Sequence, residues 1–182
     1  MNPTFKNRQN ELITTTDGRK LFHSRSVAVL GVFVCVLKSD GKAYFAIEKR
    51  GNNPGLDKKG LWCLPCGYLD WDESGYDAMV REAWEEIGLD VRSMNYFILS
   101  RHNAHQPWFV NSNPDTNRQN VTLRYGVTFA ADKLPTLTPN NDCEPDEVAD
   151  AKWITVDEIK NYEFAFNHNE VILSYLDFTK NI

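Results

Sequence analysis

Three glutamates crowd the stretch REAWEEIG, Arg81 to Gly88: Glu82, Glu85 and Glu86 fall within five residues. On a helix, side chains three and four positions apart are neighbours, so Glu82 sits beside both of the others. Like charges at that spacing cost roughly a few tenths of a kcal/mol per pair, and the C-terminal end of the helix dipole adds to the cost. A hard divalent cation binds carboxylate oxygens held on a rigid element. Mg2+ in particular combines a few carboxylates with substrate phosphates, and its binding would offset the repulsion. The alternative is a solvated charged face, since Glu-rich helices are common.

The helix itself is legible over residues 74–87. Ser74 is placed to cap its N-terminus, with Asp77 three positions on as an acidic variant of a capping box. Tyr76, Met79, Val80, Ala83 and Ile87 recur at helical spacing and make one apolar face. At about 100° per residue, the three glutamates project roughly 120° from the centre of that face, beside the core contact. Gly88 then ends the helix as a left-handed cap.

The rest of the chain must carry that helix. Its 182 residues suit a single domain with a sizeable core, and 42% hydrophobic and 25% charged residues are ordinary for a globular protein. A net charge of −5 and the lack of any basic block argue against nucleic-acid binding and suit a protein that recruits cations. The longest apolar run, VAVLGVFVCVL from Val27 to Leu37, is too short for a membrane-spanning helix and rich in β-branched residues, so it reads as a buried strand. The first twenty residues lack the apolar core of a signal peptide, and a cytoplasmic location is expected.

Residues 1–22 read as an N-terminal arm with a strand. Strands follow at 25–38 and 43–50 around the turn KSDGK, then a Gly-, Asn- and Pro-rich loop and the short strand LWCLP. Further strands are expected at 91–101 and 120–130. AKWITVDEIKNY reads as a strand running into a short helix capped at Thr155, and 165–180 as a final amphipathic helix. Between the later strands lies a long polar segment, His102 to Arg118, holding Trp108 and Phe109; connections of that length often carry function. Strands interleaved with helices give an α/β or α+β domain. Cys63 and Cys66 form a CxxC, and with His102 and His105 they make a zinc site conceivable. The simpler reading places Cys63 in a strand and Cys66 in the turn after it.

The full stretch GYLDWDESGYDAMVREAWEEIGL, Gly67 to Leu89, resembles the signature of the Nudix hydrolases: Gly, five residues, Glu, seven residues, then Arg-Glu-aliphatic-x-Glu-Glu-x-Gly-aliphatic. Every charged and glycine position matches over 23 residues. GLWCLPCGYLDWDE is similar to the strand and loop that precede it in the family, usually Gly-x-Trp-x-Leu-Pro-Gly-Gly. AIEKR resembles the strand carrying a phosphate-facing arginine, and DEVADAKWITVDEI a late acidic loop, strand and short helix. The resemblance spans roughly residues 25–160. Three positions depart from the pattern: Cys66 replaces the first glycine of the Leu-Pro-Gly-Gly turn, Asp72 stands where glycine often precedes Glu73, and Ala83 is small for its aliphatic slot.

The resemblance implies one Nudix domain over residues 1–182, an α/β/α sandwich with a mixed central sheet and a signature loop and helix at 67–89. It implies hydrolysis of a nucleoside diphosphate linked to another moiety, by water attack on phosphorus with Mg2+ or Mn2+ as cofactor. Glu82 and Glu86 would be the main metal ligands, with Glu85, the Gly67 carbonyl and Glu147 as further ones. Glu73 and Arg81 would orient the carboxylates. The general base would be a signature glutamate or one from the late loop, Glu144 or Glu147. Arg50 would bind phosphate, and Trp108, Phe109 and Arg118 the rest of a small nucleotide substrate; Tyr125 is a further aromatic for stacking. A homodimer that binds neither nucleic acid nor membrane is expected. NPDTNRQNVTLRYGVTF and FAFNHNEVI are similar to segments of ADP-ribose-type members, with Asn167 in place of Asp; QPWF resembles part of an NADH-pyrophosphatase motif. Two other readings stay open: a MutT-type nucleoside triphosphate pyrophosphohydrolase, oxidised nucleotides included, and a non-catalytic ligand sensor.

Overall fold

The structure, a computed structural model, describes residues 11–93, 97–98, 103–112, 120–140 and 145–180. At the N-terminal end, β1 (Glu11–Thr14) and β2 (Lys20–His23) pair as a small antiparallel hairpin separate from the main sheet. The apolar run is β3 (Val27–Leu37), and each of its eleven residues pairs in parallel with β9 (Val121–Ala131). A strand buried on both faces needs apolar residues at every position rather than alternate ones, and β3 has them. β4 (Ala43–Arg50) lies antiparallel to β3, and β10 (Val148–Thr155) antiparallel to β4. The short strands β5 (Trp62–Cys63) and β6 (Cys66–Tyr68) pair with β4 and β3; β7 (Phe97–Ile98) and β8 (Phe109–Asn111) pair with β9.

One parallel pairing among antiparallel ones makes the sheet mixed, and a helix covers each face. α1 (Gly75–Ile87) packs Met79, Val80, Ala83 and Ile87 against Val29, Phe33, Val127 and Phe129. α2 (His168–Lys180) packs Val171, Ile172 and Tyr175 against Leu30, Val32, Phe45 and Ile47. This is the α/β/α sandwich expected. No helix among the described residues is long and apolar enough to cross a membrane.

Local signals act as the sequence suggests at most boundaries. The Ser74 hydroxyl accepts the Asp77 N–H at 3.1 Å and donates to the Asp77 carboxylate at 2.7 Å. Gly88 closes α1 with φ of 68°, and a Cβ there would lie 2.2 Å from the Thr138 carbonyl, so glycine is required on both counts. At Thr155, Glu158 accepts both the backbone N–H and the hydroxyl at 2.7 Å, starting the 3-10 turn Val156–Asn161. The segment read as a loop from His102 to Arg118 holds the strand β8, and the N-terminal segment holds two strands rather than one. Two further boundaries differ for a local reason. The strand expected from residue 91 is a turn over residues 91–93, because the Asp90 carboxylate accepts the N–H groups of Arg92 and Ser93 at 3.1 Å. The last helix starts at His168 rather than 165, because Phe166 and Asn167 both adopt φ of 56°.

Candidate active site

Four pieces of chain meet at one end of α1: the helix, the turn Cys63–Leu64–Pro65–Cys66, the end of β4, and the loop before β10. The loop is tied to β4 where the Gly51 N–H donates to the Glu147 carbonyl at 2.6 Å. Arg81 organises the half-exposed side of the site. Its Nη1 donates to Glu82 Oε1 at 2.8 Å and to Glu85 Oε2 at 3.0 Å. Its Nε and Nη2 reach the two oxygens of Glu73 at 3.2 and 2.9 Å, and Nη2 also reaches the Tyr68 carbonyl at 3.0 Å. The bond from Arg81 holds the Glu73 carboxyl below its ordinary pKa, and Glu73 raises that of Arg81 in return. One guanidinium thus pins three carboxylates, as a positioning residue does.

Two of the glutamates, Glu82 and Glu86, are not beside the core but buried in it. Glu82 and Glu86 are only 7% and 1% exposed, while Glu85 is partly exposed. The Glu82 carboxylate rests on Gly67, where an added Cβ would sit 2.2 Å from Oε1. Glu86 Oε2 accepts the Cys66 N–H at 2.7 Å, while its Oε1 is buried with no hydrogen-bond partner. Burial, followed by the charge of Glu48, pushes the Glu86 carboxyl well above the usual range.

Glu48 is the residue that sequence reasoning missed. It lies on β4 with no exposed surface, and the Cys63 thiol donates to its Oε1 at 2.9 Å. Its Oε2 is buried without a partner. Its pKa is raised to about 8, chiefly by burial and less by the charges of Glu147 and Glu82, against the lowering effects of the Cys63 bond and the Arg50 charge. Nothing in AIEKR marks one glutamate as buried, because strand alternation would equally put it in solvent.

The donor set fits a divalent cation. Two orphaned buried carboxylate oxygens need a positive partner, and the cradle at Gly67 leaves its backbone open to Glu82. Among the described residues, no three acidic, thiol or imidazole groups already close on one point. Mg2+ needs no such cage, since it keeps several waters and uses few carboxylates.

Asp72 explains one departure from the usual signature. Its φ is 63°, the left-handed region that glycine prefers and Asp tolerates. Arg50 is not a loose surface arginine: it is 8% exposed, its Nε donates to the Asp57 carbonyl at 2.8 Å, and its guanidinium lies 5.3 Å over Phe166. Trp108 packs against Tyr175 and Phe178 of α2, with ring centroids 5.5 and 5.3 Å apart, while Phe109 is half exposed. Tyr125 is core, 3% exposed and edge-on to Tyr76, so it is not available for stacking on a base. The His105 ring packs on Tyr76 at 4.0 Å, whereas Cys63 is engaged with Glu48, so these two do not share a ligand. Arg118, His102 and Glu144 lie outside the described residues.

Comparison with known proteins agrees with this geometry. The NUDIX domain family matches residues 28–175. Phosphatase NudJ of Escherichia coli K12 is 26% identical over 125 residues, covering 69% of this chain and 67% of that protein. Among solved structures, the NUDIX domain of Shewanella oneidensis NrtR complexed with ADP ribose superposes with a TM-score of 0.62 at 20% identity, over 85% of this chain and 88% of that one. A bifunctional NMN adenylyltransferase/ADP ribose pyrophosphatase from Francisella tularensis, complexed with AMP and a Mn ion, gives a TM-score of 0.58 at 24% identity, over 86% of this chain and 42% of that one. The two structures share the fold with this chain.

Proposed function

The chain belongs to the Nudix family and is a Nudix hydrolase, and from that premise we propose that it splits the diphosphate of a nucleoside diphosphate linked to a second moiety, of ADP-ribose or nucleotide-sugar type. The observation that carries this reading is the pairing of buried carboxylates on α1 with the Gly67 cradle and the orphaned Glu86 Oε1. Glu82, Glu86 and the Gly67 carbonyl would hold Mg2+ or Mn2+, with Glu85 and Glu147 as further ligands. Bound there, the cation would neutralise the diphosphate and polarise the attacking water. Arg81 holds Glu82 and Glu85 in place, and Glu73 fixes Arg81. The Cys66 N–H fixes Glu86. Glu147, or a signature glutamate, would take the proton from water as its oxygen bonds to phosphorus and the bridging P–O bond breaks, giving two phosphate monoesters. Arg50, beside the site, would meet the phosphates.

The choice of a bulky second moiety rests on the aromatic surface of Trp108 and Phe109 between β8 and α2. The likeness to NudJ, described as a phosphatase, favours a second reading in which a plain nucleotide loses phosphate. Product identification across ADP-ribose, UDP-sugars and nucleoside triphosphates with Mg2+ or Mn2+ separates the two. Two monoesters released fastest from a diphosphate conjugate support the proposal; a higher kcat/KM for any triphosphate overturns it.

A further inference from the structure

On the α2 face of the sheet the partly buried Arg124 has no ion-pair partner among the described residues. Leu30 of β3 pairs with Cys66 of β6 on one side and with Arg124 of β9 on the other, and Arg124 pairs in turn with Phe109 of β8. These four residues form one row across the sheet. At about 4.8 Å per strand, the Arg124 backbone stands roughly 10 Å from the Cys66 backbone, whose N–H holds Glu86. The next residues on the same face of β9 meet α2: a Cβ at Gly126 would strike the Tyr175 ring, and Thr128 shares a hydrogen bond with the Tyr175 hydroxyl at 3.1 Å. Arg124 therefore projects beneath α2.

There its guanidinium lies 5.0 Å over the Phe109 ring, and Nε is buried with no acceptor. Arg124 makes no ion pair with any described residue. Trp108, whose backbone N–H donates to the Arg124 carbonyl at 2.8 Å, also has its indole N–H buried without an acceptor. His168 stands at the head of α2, and its Nδ1 accepts the Leu64 N–H at 3.0 Å, so the neutral ring carries its proton on Nε2 and presents a donor. Burial, then the charges of Arg124 and Arg50, push its pKa down to about 3. Arg50 lies beyond it over Phe166, whose ring is 5.5 Å from His168. These groups are hydrogen-bond donors. A buried guanidinium N–H without an acceptor is expensive unless one arrives, and among the described residues no carboxylate pairs with Arg124.

We propose that Arg124 and the Trp108 indole N–H hold an anionic group on the non-reacting end of the substrate, a phosphoryl or carboxylate group beyond the scissile diphosphate. Arg50 would meet the diphosphate nearer the carboxylates, and the aromatic rings would line the span between. A guanidinium and an indole N–H are matched by an acceptor-only group and repelled by an amine edge. The proposal rests on the pyrophosphohydrolase reading for which end reacts, but not for whether the anion binds.

Two substrate pairs test it. ADP-ribose 2′-phosphate against ADP-ribose probes a phosphoryl group, and UDP-glucuronate against UDP-glucose probes a carboxylate. In the wild type the charged member of at least one pair is favoured by about 10- to 100-fold in kcat/KM, carried in KM, as charge-assisted hydrogen bonds imply. Arg124→Gln brings that ratio near one, Arg124→Lys leaves part of it, and Trp108→Phe, which removes only the N–H, lowers it by a few fold. A wild-type ratio near one in both pairs, or a ratio that Arg124→Gln and Trp108→Phe leave intact, overturns the subsite. Calorimetric binding of the same four compounds in EDTA needs no turnover. Arg124-dependent preference for a charged member without hydrolysis of any compound upholds the subsite and refutes the pyrophosphohydrolase reading; hydrolysis without discrimination does the reverse.

Discussion

The carboxylate of Glu82 lies against the α-carbon of Gly67, so closely that a Cβ at position 67 would stand 2.2 Å from Oε1 and 2.5 Å from the carboxyl carbon. Two residues fifteen positions apart therefore share one cradle. Gly67→Ala would push Glu82 off its place and away from Arg81, whose Nη1 it now meets at 2.8 Å. The displaced group is the flexible end of a side chain, so the fold should persist. The expected result is a fall of at least about 100-fold in metal-dependent kcat/KM, equivalent to roughly 2.7 kcal/mol, with Tm within a few degrees of wild type. A variant with near-normal turnover would remove Gly67 and Glu82 from the site.

Glu86→Gln tests the buried carboxylate directly. The group it replaces is one the folded protein buries at a cost, with Oε1 unpartnered and the carboxyl pushed well above the usual range. If Glu86 is a metal ligand, turnover should all but vanish, at a cost of several kcal/mol in transition-state stabilisation. Metal-free stability should not fall by more than about 1 kcal/mol, since no charge-assisted bond is lost apart from that to the Cys66 N–H. Wild-type Tm should rise with Mn2+ and the variant's rise should be smaller. Equal metal-induced shifts in the two proteins would show that the cation sits elsewhere.

The cysteine pair gives a third expectation. Cys63 donates its thiol proton to Glu48, and burial pushes its pKa well above the ordinary thiol value. A thiol held protonated is a poor metal ligand. The purified protein should carry no stoichiometric zinc, and Cys63→Ser with Cys66→Ser should retain Mg2+-dependent hydrolysis, because serine keeps a donor for Glu48. About one zinc per chain by elemental analysis would contradict this.

How much of this was legible in the chain depends on how local each signal is. Ser74, Asp77 and Gly88 act within their own helix, so capping chemistry found both ends of α1. The glutamate cluster was legible for the same reason, but its depth was not. Helical phase gives the direction of Glu82 and Glu86, whereas their burial comes from the Cys63–Cys66 turn folding over them. Glu48 and Arg124 are single polar residues in strands. Which face of a strand is covered depends on α1, α2 and neighbours distant in sequence. A lone charge in AIEKR or VTLRYG carries no periodicity of its own. The turn at Asp90 was missed because an Asx bond overrode an apolar stretch that reads as strand.

His168 gives the last expectation, in acid. Its ring is buried at the head of α2, with Nδ1 accepting from Leu64 and Arg124 and Arg50 acting on it from the sheet. The folded protein binds the imidazole proton only near pH 3, while the unfolded chain takes it near the ordinary value of 6.5. Between these values the unfolded state holds the extra proton. The contribution of His168 to stability is thus complete above about pH 6.5 and is lost as pH falls towards 3, with a slope of up to about 1.4 kcal/mol per pH unit. Glu48, whose pKa is raised, acts with the opposite sign, but it is present in both proteins compared and cancels. His168→Gln keeps an acceptor for the Leu64 N–H and does not titrate. Urea unfolding in EDTA from pH 6.5 to 4.5 should therefore show the wild type losing up to about 2.3 kcal/mol more than the variant. Parallel curves would mean that His168 takes up its proton in the folded state, and that the two arginines do not weigh on it as the structure indicates.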